Sequence, residues 1–349
     1  MVRAVSKEEL KEAARQFGAD LVGVASPERF EGAPQQMDPR LIFPQAKSII
    51  MIAKRIPRGV YRGIEEGTHW NSYARYGYGG LNTHFLPKAV YRIACWLEDR
   101  GWEAVPQYAG VPEIMPNRPS VRPDEPGANV EPQVRIAAWL AGLGEIGYSK
   151  VFLTPEYGPR VRFGMIITDL ELEPDPIYPG GLCDNCQACV RDCPGNAIPK
   201  RSENKMVEIT AGTGEKTSWA DVHMGRCTLT HHGMNKKVSP FLARDFPGFE
   251  LDVENSEMSE EEAYKLTHIV GGAKWRKTKE FPWGHAIDYQ YMLINTPPGY
   301  NPFCGAAGCI RACMIHLEKR GKIKAKFHNP FRQRPSWLKR QMEKKDEEK

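Results

Sequence analysis

The segment "CDNCQACVRDCP", from Cys183 to Pro194, places four of the chain's nine cysteines within eleven residues. Its spacing, Cys-x2-Cys-x2-Cys-x3-Cys-Pro, is the run with which small electron-transfer proteins hold two iron–sulfur clusters. Three thiolates two residues apart wrap one cubane, whereas the fourth, on the helix that follows, points away and reaches a neighbouring cluster. A second cysteine set is therefore required, and Cys227, Cys304, Cys309 and Cys313 supply it. Crossed ligation assigns Cys183, Cys186, Cys189 and Cys313 to one 4Fe-4S cluster and Cys193, Cys227, Cys304 and Cys309 to the other. Two zinc ions with four thiolates apiece would use the same eight cysteines, but zinc sites rarely show the x2-x2-x3-Pro run. The second set is looser, with four residues between Cys304 and Cys309 and Met314 where the run has proline. Cys95 reads as a small buried hydrophobe on a helix.

At 349 residues and 41% hydrophobic content, the chain can fill one large core or two ordinary ones. No run of about eighteen apolar residues occurs. The start, "MVRAVSKEELKEAARQFGADLVGVAS", has no charged-then-apolar leader and no twin-arginine pair. A cytoplasmic protein without a membrane segment is the expectation. In that reducing compartment a cysteine cluster is a metal or catalytic site before it is a disulfide framework. The net charge of +5, from 48 basic and 43 acidic residues, selects no partner by itself. The stretch "KRGKIKAKFHNPFRQRPSWLKRQMEKKDEEK" is different, basic with Phe327, Phe331 and Trp337 interleaved. Such a composition is found where chains touch RNA or DNA. A strap across the protein's own surface is the preferred reading, because no nucleic-acid fold accompanies it.

Ser6 followed by Glu9 forms a capping box ahead of helically spaced Leu10, Ala13, Ala14 and Phe17. "ADLVGVAS" reads as a strand, and "KSIIMIAK" as one apolar enough to be buried on both faces. Residues 56–82 are rich in glycine and aromatics, as in a pocket lining. A helix near Leu86–Gly101, a strand "WEAVPQ" and a helix near Gln133–Leu140 follow. Then come "AGLGEIG", "KVFLT", a turn at "PEYG" and a strand "VRFGMIITDL". Gly142, Gly144 and Gly147 are not a dinucleotide fingerprint, because they follow a helix where that motif needs a strand. From about Asp175 the chain becomes rich in cysteine and loops. Between Cys227 and Cys304 lies an insertion, residues 228–303, with a helix at "MSEEEAYKLTHIV".

The N-terminal "FGADLVGVAS", the central "AGLGEIGYSKVFLTPEYGPRVRFGMIITDLEL" and "CDNCQACVRDCPGNAIP" with its late cysteine set together resemble the cobalamin-dependent iron–sulfur reductases. These comprise reductive dehalogenases and epoxyqueuosine reductase, and the resemblance covers most of residues 6–230 and 304–313. It implies an α+β fold. A nitroreductase-like core over residues 1–174 would bind base-off cobalamin, and a ferredoxin-like domain over 175–320 would carry two 4Fe-4S clusters; 321–349 is a basic tail. It implies that electrons reach cobalt through the clusters and that a protein acid delivers a proton. By position, Gly142, Gly144, Gly147, Thr154, Glu156, Tyr157 and Gly158 are the implied cobalamin-binding residues. Epoxyqueuosine reductases resemble one another in an Asp-Arg-Ala helix start whose aspartate donates the proton. Here that place reads Val134-Arg135-Ile136, without the acid.

Dehalogenases instead use a tyrosine tuned by a nearby cation, since a phenol ordinarily titrates near ~10. Tyr76 or Tyr78, with Arg135, matches that role by chain position. The expected activity is a dehalogenase-like reductive elimination on a small organic substrate, with a low-potential ferredoxin or flavodoxin as electron donor and tRNA set aside. The alternatives are a tRNA-modifying reductase of the epoxyqueuosine type and a two-cluster electron-transfer protein without cobalamin. "DVHMGR", with His223, nearly matches a cobalt-ligating loop, but its glycine is one place early and the match reads as chance.

Overall fold

The computed structural model describes residues 2–107, 119–239, 242, 248–272 and 304–331. In chain order the elements used below are α1 (Lys7–Gln16), β1 (Leu21–Ala25), β2 (Ser48–Arg55), α2 (Arg62–Glu66), α3 (Asn71–Tyr73), α4 (Leu86–Glu98), β3 (Ala104–Gln107), α5 (Val134–Leu140), β4 (Glu145–Ile146), β5 (Phe152–Leu153), β6 (Val161–Thr168), α6 (Ala188–Arg191), β7 (Met206–Thr210), β8 (Lys216–Ala220), α7 (Met224–His231), α8 (Glu260–Gly272), α9 (Cys304–Ala307) and α10 (Cys309–Lys319). The class is mixed α/β. Two units divide the chain: Met1–Arg55, His84–Asn185 and Met206–Trp219 form the first, and Ile56–Thr83, Cys186–Lys205 and Ala220–Lys349 the second. Composition alone suggests one cut after residue 174. The units are instead discontinuous, because the aromatic segment joins the cysteine-rich part of the chain while β7 and most of β8 return to the first unit.

The first unit is built on an antiparallel sheet in the order β1-β2-β6-β3. Leu21 faces Ala53, Ser48 faces Thr168, and Ala104 faces Thr168 from the other side. The continuous apolar run of β2 has its explanation in the two layers that cover it. Side chains alternate along a strand, so Ile49, Met51 and Ala53 pack with Ala137, Trp139 and Leu140 of α5. Ile50 and Ile52 face the opposite layer, formed by Leu10 and Ala14 of α1 and by Leu86, Val90, Ile93 and Leu97 of α4. Ser6 starts α1 by accepting a hydrogen bond from the Glu9 amide at 3.1 Å. Ile52 is fully buried. Ile52→Ala is expected to cost about 2–5 kcal/mol, read as a lowered denaturant midpoint in equilibrium unfolding.

The second unit is mainly helical among its described residues. Segment 56–83 is a series of short helical turns that includes α2 and α3, not strands. Helix α7 packs with α8 around Leu229, Met234, Leu242, Val253 and Ala263. Ser259 and Glu262 close a reciprocal cap at the start of α8: the Glu262 amide donates to Ser259 Oγ at 3.2 Å and the Ser259 amide to Glu262 Oε2 at 2.8 Å. Of the insertion, 273–303 lies outside the described residues, as do 332–349 of the tail with Trp337. No described helix is long and apolar enough to cross a membrane.

Candidate metal centre

The second unit gathers sulfur. Cys304 opens α9, Cys309 and Cys313 lie one turn apart on α10, Cys227 is on α7, and Cys189 is buried on α6. A hydrogen bond with the Cys227 thiol, and then burial, push the Cys304 thiol well above its ordinary value. Burial, followed by the neighbouring Cys193, Cys227 and Cys189 thiols, pushes Cys309 upward too. Burial raises Cys193, with Cys227 adding to it, while the Ala197 amide donates to Cys193 Sγ at 3.4 Å. These shifts share the neighbouring thiols as a contributor. Cys193, Cys227, Cys304 and Cys309 lie near enough to influence one another, with Cys189 beside Cys309; Cys304 is buried and Cys193, Cys227 and Cys309 are half-buried. Thiols so arranged give up their protons readily only to a soft cationic centre, and amide-to-sulfur hydrogen bonds are among the features that set cluster potentials. The donor set therefore fits iron–sulfur ligation. Helix α6 packs on α10, so Cys189 and Cys313 ride on adjoining helices. His231, at the end of α7, brings Nδ1 to 3.6 Å from Cys304 Sγ.

Cys183 belongs to the first unit. Its amide donates to Glu145 of β4, and its Sγ accepts from the Tyr148 amide at 3.4 Å. Glu145, inside "AGLGEIG" where only the glycines drew attention, thus holds the backbone of the first cysteine of the run. Those glycines have a structural cause. Gly142 has φ +74° and Gly144 φ +153°; a Cβ would strike the Pro176 carbonyl oxygen at the first and the Leu153 carbonyl oxygen at the second. At Gly147 a Cβ would press on the Leu153 side chain. Thr154 and Gly158 bond each other's backbones at 3.0 and 2.8 Å. Thr154 Oγ1 also accepts from the Tyr157 amide at 3.1 Å, and Arg55 lies over the Tyr157 ring at 5.7 Å. Glu156 is half-buried. The glycine conformations are thus accounted for by the Pro176 and Leu153 carbonyls, and the Thr154–Gly158 turn by its own backbone.

Tyr76 and Tyr78 sit in a π-helical turn, Ala74–Tyr78, a feature frequent at functional sites. Tyr76 is exposed and Tyr78 half-buried. The Tyr78 ring meets His231 edge-on, with centroids 5.1 Å apart. Arg135 is half-buried in the first turn of α5, its amide bonded to Gln133 Oε1 at 3.1 Å. His231 thus stands beside both the Tyr78 ring and Cys304. His223 caps α7: Nδ1 accepts from the Arg226 amide at 3.4 Å and Nε2 faces Glu257 at 3.5 Å. Both its nitrogens therefore serve the fold.

One ion pair in the second unit left no mark in the local sequence. Arg311, between Cys309 and Cys313, forms a two-pronged pair with Glu65 of α2, and its Nη1 lies 3.6 Å from Asp192. Glu65 is 2% exposed and Arg311 8%.

No family model matches the chain. It is 33% identical over 100 residues to tetrachloroethene reductive dehalogenase of Sulfurospirillum multivorans, which covers 27% of this chain and 19% of that protein. It is 29% identical over 192 residues to epoxyqueuosine reductase of Gloeobacter violaceus, covering 54% of this chain and 52% of the relative. The chain thus spans about a fifth of one relative and about half of the other. A crystal structure of epoxyqueuosine reductase with an epoxyqueuosine-modified tRNA-Tyr stem loop aligns over 55% of this chain and 52% of that one, at 22% identity and a TM-score of 0.36. The two kinds of curated relative belong to one superfamily of reductases, and the chain is related in sequence to both.

Proposed function

We propose that the chain is a reductase that uses two iron–sulfur clusters and cobalamin for a dehalogenase-like reductive elimination on a small organic substrate. The observation that carries the iron–sulfur part is the gathering of Cys193, Cys227, Cys304 and Cys309, where burial and neighbouring thiols push Cys193, Cys304 and Cys309 upward. Clusters bound by these and the other four cysteines supply one-electron transfer. Cobalamin rests on the sequence relationship to both kinds of reductase, and no residue role is assigned through it. The chain's own residues orient and protect. Glu145 and the Tyr148 amide fix Cys183, and the Ala197 amide fixes Cys193. Tyr78 is the proposed proton source, with His231 edge-on to its ring.

A second reading, a tRNA-modifying reductase of the epoxyqueuosine type, is favoured by the longer stretch of sequence shared with that relative. The expectation that set tRNA aside finds no support, since a reductase of that type has been solved with a tRNA stem loop. Anaerobic purification followed by iron, sulfide and cobalt analysis tests the proposal. About eight irons and eight sulfides per chain are expected, with cobalt retained after incubation with cobalamin. Clusters without corrinoid uptake under any condition overturn the enzyme reading in favour of an electron carrier. Turnover of a halogenated organic compound, set against epoxyqueuosine-containing tRNA, separates the two enzyme readings.

A further inference from the structure

Cys227 and His231 stand four residues apart on α7, a spacing that puts both on one face of a helix. Helix α9, which begins at Cys304, packs on α7. The imidazole thereby reaches Cys304, with Nδ1 3.6 Å from Sγ, within hydrogen-bond range for an atom as large as sulfur. Two rings bracket the imidazole: Tyr78 stands edge-on at 5.1 Å and His232 at 5.2 Å between centroids. They limit how far it can turn about its side-chain bonds. Iron decides which atom donates. Cys304 hydrogen-bonds with Cys227 as a thiol, but a cysteine that ligates a cluster has lost its proton. Its sulfur can then only accept, and the imidazole N–H can only donate.

We propose that His231 raises the reduction potential of the cluster held by Cys304, by donating a hydrogen bond from Nδ1 to the cysteine sulfur. The proposal rests on the iron–sulfur reading above, and His231 is in it a positioning residue that acts through Cys304. Hydrogen bonds to cluster sulfurs are among the features that set cluster potentials. The sign follows from charge. An added electron makes the sulfurs more negative, so the N–H···S bond strengthens on reduction and favours the reduced state. The imidazole keeps its proton throughout: the site takes one electron from the chain's one-electron donor, and no bond is made or broken. Cys304 is buried, so little water competes for its sulfur and the bond counts for more. The same cysteine set receives the Ala197 amide at Cys193; that donor belongs to the backbone and survives substitution, whereas His231 can be changed. An imidazole can also ligate iron itself, but the crossed assignment already gives this cluster four thiolates, which leaves the ring as the neighbour of a ligand.

The test compares the full chain, its clusters assembled anaerobically, with H231F and H231N. Phenylalanine keeps a ring and removes the donor; asparagine places an amide nitrogen near the position of Nδ1 and restores one. Both variants are expected to retain about eight irons. Spectroelectrochemical titration at one fixed pH should show one cluster of H231F about tenfold harder to reduce, a shift of about 59 mV to more negative potential for a one-electron couple. H231N should recover at least half of that shift. Pulsed electron paramagnetic resonance of the reduced parent, carrying isotope-labelled histidine, reads the contact without any substitution: a weak coupling to a histidine nitrogen is expected, and its absence overturns the proposal. An unchanged potential in H231F overturns it and leaves the cluster reading intact. Equal shifts in H231F and H231N make the effect one of packing and overturn it as well. A strong nitrogen coupling in the parent, with iron falling to about four in both variants, makes the imidazole a ligand and overturns the proposal. A parent chain that takes up no iron and sulfide overturns both the proposal and the cluster reading.

Discussion

Cys309→Ala is expected to lower the iron content of the anaerobically assembled protein from about eight atoms per chain to about four, with sulfide falling in parallel. Cys309 lies near enough to Cys193, Cys227 and Cys189 to feel their charge, so its loss opens one corner of the donor set, and alanine offers no replacement ligand. Cys186→Ala is expected to remove the other half of the iron. Because metal affinity in such sites is also folding energy, each variant should also unfold at lower denaturant concentration than the parent. Cys95→Ala serves as the control: Cys95 lies on α4 in the first unit, and iron should stay at about eight. Electron paramagnetic resonance of the reduced variants then separates the two sites, since each should retain a single-cluster signal without the broadening of a coupled pair. Iron unchanged by Cys309→Ala would sink the crossed assignment. About two zinc ions per chain with no sulfide would replace the clusters by structural zinc.

The cysteine run stands out in the sequence because chelation is a local problem. Ligands two and three residues apart must fall around one centre, so their spacing carries the chemistry. The sheet was legible for a similar reason. The apolar run at Ser48–Arg55 admits burial on both faces, and the two helical layers over Ile50 and Met51 supply it. The glycine block shows where such reading runs out. Gly142 and Gly144 attract a ligand hypothesis, yet their positive φ and the carbonyls of Pro176 and Leu153 account for them. The segment's link to the cysteine run is Glu145, whose partner lies 38 residues away. The unit boundaries were hidden for the same reason. Residues 56–83 share no pattern with the cysteine segments they join, and what ties them there is a set of long-range pairs: Arg58 with Glu318, 260 residues apart, and Glu65 with Arg311, 246 residues apart. Local periodicity has no means of recording a charge paired across such a distance.

The second of those pairs carries the other large expectation. Glu65→Gln leaves the buried Arg311 guanidinium without its two-pronged carboxylate, and breaking a buried pair from one side costs about 3–5 kcal/mol. The loss should appear as a lowered unfolding midpoint, and as reduced iron, because Arg311 sits between Cys309 and Cys313 on α10. Asp192, at 3.6 Å from Arg311 Nη1, offers only partial compensation. Replacing both partners by apolar residues of similar size, as in E65L/R311M, should recover most of the stability, since such exchanges are often neutral or stabilising. It should not recover the electrochemistry. The double variant removes Glu65's anion together with Arg311's cation, so the net charge is unchanged, but Arg311 is the one placed between the two cysteines on α10. Losing the positive charge at that position, with Asp192 retained, is expected to move the clusters' midpoint potentials to more negative values. Spectroelectrochemical titration of the double variant against the parent reads this directly. Recovered stability with an unchanged potential would reduce the pair to a structural tie between α2 and α10; recovered stability with a lowered potential gives Arg311 an electrostatic part in setting the clusters' reducibility.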